Sequence, residues 1–592
     1  MRRPFAHYIG LNKMGHHASI CLINETRKGP TAEILIKERF TRVKTDDGPV
    51  NQLLRRIAPK VDLSSSLICE NTFGFRPLKY EMKADRKVPY FEAMKSTGLA
   101  SFTARFNSDL RFATHHFCHA MAAASISPFR KALIVVLDGS GNVDEAFPDD
   151  HPEIVNFPPP AVTRRNRNDP GSISESCTAY LQDGPELECI HKEWQTYLRP
   201  RPEIEGVNIP WFSNGLGMFY QTMAFYVFAN SFESGKIMGL APYGKPSPIE
   251  DRVGFCMELD WTQSFRGRGK QQWESSPLFS HYANVAASTQ AHFEETVLSL
   301  LSRLKARHPG YDNLILTGGC ALNCVTNMRI LRSGLFQQVF VPPFPSDECI
   351  SFGAASFLRY HVARKPWRPL PMKNQEGSLG PMNSIPLAHR VRKAFAGHKI
   401  TRPRSITRET ARHLAAGKIV GWFQGRSESG PRALGNRSIL ADPRIKGLKE
   451  HLNRNVKFRE AFRPYACAVP FGKAELYFEV PDRFESPFMS FAPKVRRAHR
   501  KTLGEVAHVD RTSRVQTVRR SQNPCFSALL EEFGKLTGLY CILNTSMNVM
   551  GEPIVETVED AARFFEWSTL DVMAVGDILV ERKRGLRIDS TR

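Results

Sequence analysis

Two histidines four residues apart, His115 and His119, lie in the run Thr114-His115-His116-Phe117-Cys118-His119-Ala120-Met121-Ala122-Ala123-Ala124. The Ala/Met stretch favours helix. Positions i and i+4 of a helix share a face, so the two imidazoles can chelate one metal ion while His116 points elsewhere. Asp138 ends the apolar run Ala132 to Leu137 and opens the small-residue loop Asp138-Gly139-Ser140-Gly141-Asn142. Asp347 follows the apolar run at 339–341 and precedes the helix-like Ser351-Phe352-Gly353-Ala354-Ala355-Ser356. A carboxylate at a strand end can hold a metal while the loop's backbone N–H groups take a phosphate. Two His and two Asp from separate elements make a mixed N/O set suited to iron, manganese or zinc. The plain alternative is a helix start carrying unrelated histidines, and the two aspartates weigh against it.

Anion chemistry is written elsewhere in the chain. Gly425-Arg426-Ser427-Glu428-Ser429-Gly430-Pro431-Arg432-Ala433-Leu434-Gly435-Asn436-Arg437-Ser438 places three glycines and three arginines in one loop, and Arg444 follows. Glycines let a ligand approach the backbone, and guanidinium forks match carboxylate or phosphate oxygens. The loop is therefore expected to be an anion cradle rather than a solvated basic turn. A strand at 313–316 runs into Thr317-Gly318-Gly319-Cys320-Ala321-Leu322-Asn323, a second loop of phosphate-binding type at a helix start. Further basic groups gather around Lys457, Arg459, Arg463 and Arg514, and Asn544 and Ser546 end a strand. Cys320 and Cys324 have no ordered base near them in sequence and are expected to be small buried hydrophobes.

The elements that must position these groups are short strands and helices in α/β alternation. Tyr8 to Leu11 and Ala18 to Ile23 form a hairpin around a polar turn, Asn12 to His17, with a third strand at 32–37. Asn214 to Asn230 has helical periodicity with Phe219, Tyr220, Met223 and Val227 on one side. The weakly hydrophobic stretch from Asp149 to about Pro210 is expected to include a flexible insertion. Pro366 to about Leu387 is Pro-rich and polar, a linker, and a helix at 408–417 with a strand at 418–423 leads into the arginine loop.

Composition narrows the class. A chain of 592 residues builds two or more domains, and 42% apolar with 24% charged residues is ordinary for a globular protein. The formal net charge of +22 points to an anionic partner. Arginines set in glycine loops favour small phosphates over a duplex, so nucleic acid is not expected. No run of about 18 apolar residues predicts a membrane span. Twelve cysteines without a C-x-x-C pair argue against a disulfide framework and a zinc-finger module, and the expectation is a reduced, cytoplasmic enzyme.

With these motifs in hand, the chain resembles the carbamoyltransferases of the NodU/CmcH type, which carbamoylate hydroxyls of nodulation factors and antibiotics. The resemblance rests on S-x-S-G-P-R-A-L-G-N-R-S-I-L-A-D-P-R at 427–444, N-x-x-V-K-F-R-E-x-F-R-P at 453–464, D-R-T-S-R-V-Q at 510–516 and L-N-T-S-x-N-x-x-G-E-P at 543–553. It implies an α/β protein with an N-terminal actin/sugar-kinase-like (ASKHA) ATPase-fold domain over 1–370. A linker at 371–387 and a YrdC-like α/β domain over 388–592 would follow. It implies carbamoyl-adenylate formation from carbamoyl phosphate and ATP with Mg in the second domain. Transfer to a hydroxyl of a small-molecule acceptor would follow at a metal site, Fe(II) or another divalent ion, in the first.

Carried over by motif, His115, His119, Asp138 and Asp347 match the metal ligands. His16, Lys44, Arg432, Lys457 and Arg514 match catalytic positions. Cofactor contacts are expected from Gly139, Gly141, Gly318, Gly319, Asn323, Ser429, Arg432, Asn436, Lys457, Arg514, Asn544 and Ser546. Two positions depart from the pattern: His17 replaces an aspartate after His16, and Cys349 stands where glycine is usual. A homodimer is admitted and no membrane partner is implied. A threonylcarbamoyl tRNA-modifying enzyme shares both domain types and is the main alternative. A hydrogenase-maturation carbamoyltransferase, disfavoured by the missing C-x-x-C module, and a non-catalytic nucleotide-binding regulator are the others.

Overall fold

The computed structural model describes residues 6–13, 17–48, 50–61, 66–72, 110–141, 174–198, 209–267, 269–368, 370, 377–381 and 387–583. The chain divides into two compact units. The first comprises residues 1–41, 45–268 and 276–371, and the second comprises 42–44, 269–275 and 372–592. Two short pieces remote in sequence, one carrying Lys44, thus belong to the second unit.

The first unit holds two five-stranded sheets. In the first sheet, β1 (His7–Asn12), β2 (Ser19–Thr26) and β3 (Gly29–Ile36) form an antiparallel meander. Parallel strands β4 (Ser66–Thr72) and β5 (Leu110–Thr114) extend it beyond β1. Helix α1 (His115–Ile126) then leads to the second sheet, where β6 (Lys131–Leu137), β7 (Ser174–Asp183) and β8 (Glu186–Gln195) form another meander. After helices α2 (Leu216–Phe228) and α3 (Phe279–Arg307), β9 (Asn313–Thr317) pairs parallel to β6. Helix α4 (Cys324–Ser333) follows, then β10 (Gln338–Phe340), parallel to β9, and helix α5 (Ile350–Phe357). The orders β3-β2-β1-β4-β5 and β8-β7-β6-β9-β10 are the same arrangement built twice. Alternation in β1 and β2 buries Ile9, Leu11, Ile20 and Leu22 in one apolar cluster.

Helix α5 packs on both α1 and β1. Gly353 allows this approach, because a Cβ there would fall 1.9 Å from the Cys118 carbonyl oxygen. Phe117 and Phe357 meet edge to face at 5.6 Å beside the crossing.

The stretch expected to include a flexible insertion is described only in part. Residues 174–195 form the ten-residue strands β7 and β8, joined at Gly184-Pro185. Asp183-Gly184 is a hairpin signal, and Thr178, Tyr180 and Trp194 suit a pleated surface. Residues 149–173 and 199–208 lie outside the described residues. So do His16, residues 371–376 and 382–386 of the expected linker, and the Cys349 side chain.

The second unit is built on an eight-stranded sheet. In chain order it comprises β11 (Lys399–Thr401), helix α6 (Ile406–Ala415), β12 (Val420–Phe423), β13 (Arg437–Ala441), β14 (Ala466–Pro470) and β15 (Arg514–Val518). Helix α7 (Pro524–Thr537), β16 (Ile542–Ser546), helix α8 (Val558–Trp567), β17 (Val572–Val575) and β18 (Ile578–Glu581) complete it. The strand order is β11-β18-β17-β12-β13-β16-β14-β15. Trp422, Leu440, Phe526 and Phe533 fill its core, and Asn523 caps α7 through Phe526 N–H at 3.0 Å. No helix among the described residues is long and apolar enough to cross a membrane.

Candidate functional site

In the first unit the two sheets and the α1–α5 crossing converge on four side chains. Chain extension of β5 ends at Thr114, whose extended backbone lets α1 begin at His115. His115 and His119 therefore lie on consecutive turns of α1, Asp138 follows β6, and Asp347 opens the turn before α5. All four are buried, and one ligand atom from each lies within 4.8 Å of the others. His115 Nε2 is 3.2 Å from Asp138 Oδ2 and 3.6 Å from Asp347 Oδ1. His119 Nε2 is 3.8 Å and 3.4 Å from the same two atoms. Bonds of about 2.0–2.2 Å to a shared ion separate ligand atoms by about 3–3.6 Å, so these spacings fit a metal. The buried His119 Nε2 makes no hydrogen bond, which a coordinated ion would remedy.

Neighbouring groups hold the ligands in place. Asp138 Oδ1 accepts the Gly319 N–H at 2.8 Å, which turns Oδ2 toward the histidines. The Gly318 N–H donates to the Pro345 carbonyl at 2.8 Å, tying the double-glycine turn to the segment before Asp347. Asn12 Nδ2 donates to the Asp347 carbonyl at 3.2 Å, and Asn71 Nδ2 donates to Asn12 Oδ1 at 3.0 Å while lying 3.5 Å from His115 Nδ1. The sequence reading missed Asn12 and Asn71. Their only signal is an amide closing an apolar strand.

Electrostatics in this set are strong. Burial opposes a charge on His115, but Asp347 and Asp138 outweigh it and push the imidazole up to about 9. Burial also works against the Asp138 carboxylate, yet His115 and His119 hold its pKa well below the usual range. Burial pushes His116 down to about 4, and its Nδ1 lies 2.8 Å from Thr178 Oγ1.

The loop after Asp138 is braced from behind. Gln195 Nε2 donates to the Gly139 carbonyl at 2.7 Å, and the Gly141 N–H donates to the Glu175 carbonyl at 2.7 Å. A Cβ on Gly141 would fall 2.6 Å from His116 Nε2 and 2.7 Å from Glu175 Oε2. Asn323 is engaged in structure: its Oδ1 caps α4 through Thr326 N–H, and its Nδ2 donates to Gln290 Oε1 at 2.9 Å. His17, the departure from the expected aspartate, sits at φ 67° with its ring 3.5 Å from Glu38, so a carboxylate is present there from another position.

In the second unit the arginine loop differs from the expected open cradle. Glu428 Oε1 accepts the backbone N–H groups of Leu434, Asn436 and Arg437 at 2.7–3.1 Å, occupying donors that would otherwise face an anion. Arg437 is fully buried. It donates to the carbonyls of Gln424 and Asn436 at 2.8 and 3.0 Å and lies 3.6 Å over the Phe423 ring. Arg426 donates to the Gly380 and Leu379 carbonyls, and Arg444 is bidentate to Asp442. Arg426, Arg437 and Arg444 thus fasten protein to protein. Arg432, half-buried, lies between Ser429 and Asn436 in the chain.

The remaining expected groups surround this loop. Ser429 Oγ accepts the Leu379 N–H at 2.8 Å, and Asn436 Nδ2 donates to Ser378 Oγ at 2.7 Å. Asn544 Nδ2 donates to Gln516 Oε1 at 2.9 Å, and Gln516 Nε2 donates to the Leu434 carbonyl at 2.9 Å. The Asn544 Oδ1 and Arg514 Nε atoms are buried without a hydrogen bond. A pocket opens between Ser378, Asn436, Phe488, Gln516 and Asn523.

Lys457 Nζ donates to the carbonyls of Ser546 and Asn548 at 2.6 and 2.7 Å and to Asn548 Oδ1 at 2.6 Å. Burial and then the nearby cations Arg459, Arg463 and Lys44 lower its pKa well below the ordinary value. Three short bonds to acceptors require three N–H donors, so the geometry favours the ammonium form. Burial also pushes Arg459 down to about 10, with Arg463 and Arg514 adding to it. Such a cluster of cations gains from any anion bound among them.

Comparison with known proteins places the chain in a family. Family models described as Carbamoyltransferase N-terminus and Carbamoyltransferase C-terminus match residues 197–356 and 411–582. The chain is 34% identical over 503 residues to nodulation protein NolNO of Sinorhizobium fredii, covering 82% of this chain and 66% of that protein. It is 38% identical over 384 residues to nodulation protein NolO of Bradyrhizobium diazoefficiens, covering 62% and 69%. It is 30% identical over 376 residues to the 3'-hydroxymethylcephem-O-carbamoyltransferase of Streptomyces clavuligerus, covering 60% and 66%. The aligned region spans about two thirds of the length of each of these relatives. The two matched regions take in more than half of the 592 residues, and the chain belongs to the carbamoyltransferase family of enzymes.

Proposed function

We propose that this chain is an ATP-dependent O-carbamoyltransferase acting on a hydroxyl of a small-molecule acceptor. The observation that carries the reading is the buried His115, His119, Asp138 and Asp347 set in a carbamoyltransferase chain. In this reading the duplicated sheets are an ASKHA-type pair and the second unit is a YrdC-like activating domain. In the second unit water cleaves carbamoyl phosphate to carbamate and phosphate, and a carbamate oxygen then attacks the α-phosphorus of ATP, forming carbamoyl-adenylate and releasing pyrophosphate. The acceptor hydroxyl then attacks the carbamoyl carbon and AMP leaves.

Each unit supplies groups for its step. Lys457, Arg459, Arg463 and Arg514 attract the phosphate oxygens, and Arg432 adds a planar fork where charge builds on the leaving group. Asn436, Gln516 and Phe488 offer amide and ring contacts suited to a nucleoside. In the first unit His115, His119, Asp138 and Asp347 would hold a divalent ion such as Fe(II). That ion would supply Lewis acidity toward phosphate or carbonyl oxygen and lower the pKa of a nearby hydroxyl. Asp138 keeps its charge there because the histidines stabilise it.

The test uses the full chain with ATP, Mg, carbamoyl phosphate and a panel of sugar, aminoglycoside, polyketide and cephem alcohols, read by mass spectrometry. A product heavier by one carbamoyl in place of hydrogen is expected. Turnover with threonine and bicarbonate but not with carbamoyl phosphate would overturn the reading in favour of a threonylcarbamoyl-type enzyme.

A further inference from the structure

The β7–β8 hairpin carries a second group of metal-ligating side chains, separate from the quartet on α1, β6 and the turn before α5. In β8, His191 and Glu193 are two residues apart and so share a face of the strand. Cys177 in β7 is the direct cross-strand partner of Glu193, and a register shift between Glu175 and Cys177 bends β7 at that point. One ligand atom from each of the three lies within 4.8 Å of the others. His191 Nε2 is 3.2 Å from Glu193 Oε1. Cys177 is buried, while His191 and Glu193 are partly exposed, which leaves a path for an ion to enter.

We infer that Cys177, His191 and Glu193 form a second metal site, selective for a borderline divalent ion of the zinc class. Thiolate, imidazole and carboxylate together match zinc, whereas magnesium and calcium take oxygen. An ordinary His–Glu pair along one strand would need no buried thiol opposite it. Burial, with Glu193 close by, pushes the Cys177 thiol up, so uptake of the ion releases a proton from Sγ and is favoured by rising pH. Cys177 pairs with Leu137, the residue before Asp138, so the site lies one strand from the candidate catalytic quartet.

Cobalt(II) is the probe, because the quartet itself has no sulfur ligand and the hairpin site, with Cys177, gives a thiolate-to-cobalt charge-transfer band. Full-length protein stripped with chelator and loaded with cobalt is expected to bind two equivalents and show that band in the near ultraviolet. Cys177→Ser should lose the band and retain one equivalent. Glu193→Gln, changed on a partly exposed side chain, should keep the wild-type melting temperature and weaken the band's cobalt affinity by about tenfold or more. His119→Ala should keep the band. Absence of the band from the wild-type protein, or its survival in Cys177→Ser, would overturn the assignment.

Discussion

Arg437 offers a quantitative separation of structural from ligand-binding arginines in the 425–444 stretch. Replacing it with Met keeps the aliphatic stem and removes the fork. The Gln424 and Asn436 carbonyls, bonded at 2.8 and 3.0 Å, each lose a charged donor, at about 2 kcal/mol each. Loss of the cation over Phe423 adds about 2 kcal/mol, and relief from burying a charge returns about 2. The net is a loss of about 4 kcal/mol, which lowers the melting temperature of a unit this size by about 10 °C. Differential scanning calorimetry of Arg437→Met against wild type reads this directly. Arg432→Ala is the counterpart: while its unit stays folded, it should form no carbamoyl-AMP. If Arg437→Met melts like wild type yet fails to make carbamoyl-AMP, the fastening role is wrong and Arg437 holds the ligand.

Gly353→Ala would drive a Cβ into the Cys118 carbonyl and push α5 off α1. It should cost about 3 kcal/mol or more and reduce metal content at the quartet, as read by thermal melting and metal analysis. Chelator-treated protein should show a pH-dependent melting temperature. His115 titrates near 9 in the folded state against an ordinary 6.5, so its pairing is fully stabilising below pH 6.5 and is lost as pH rises through 9. Asp138 is depressed, so its contribution is present above its ordinary 3.8 and is lost at lower pH. The melting temperature should therefore peak between pH 3.8 and 6.5, and a profile that rises from pH 6.5 to 9 would contradict the pairing.

Much of the first unit was legible in the sequence because local signals and tertiary needs coincide there. The alternation in Tyr8 to Leu11 and Ala18 to Ile23, the alanine run after His119 and the apolar run ending at Asp138 each specify one element. Those elements bring the four candidate ligands together. The β7–β8 hairpin is hidden because its strands carry Glu, Lys and Gln among their apolar residues, and Asp183-Gly184 is a short turn signal in a polar stretch.

The arginine loop was legible in its chemistry but not in its internal contacts. Composition shows what a guanidinium can bind, but not that the buried Glu428, itself part of the loop, takes the Leu434, Asn436 and Arg437 N–H groups. Asn12, Asn71 and Gln516 act through contacts between residues far apart in the chain, which no local pattern reports. The entry of Arg42–Lys44 and 269–275 into the second unit is of the same kind.

Division of labour between the two units is the central claim, and His119→Ala tests it most directly. The variant should retain ATP–pyrophosphate exchange dependent on carbamoyl phosphate at the wild-type rate, while transfer of the carbamoyl group to the acceptor falls below detection. Loss of both reactions together in a variant that melts like wild type would contradict the account.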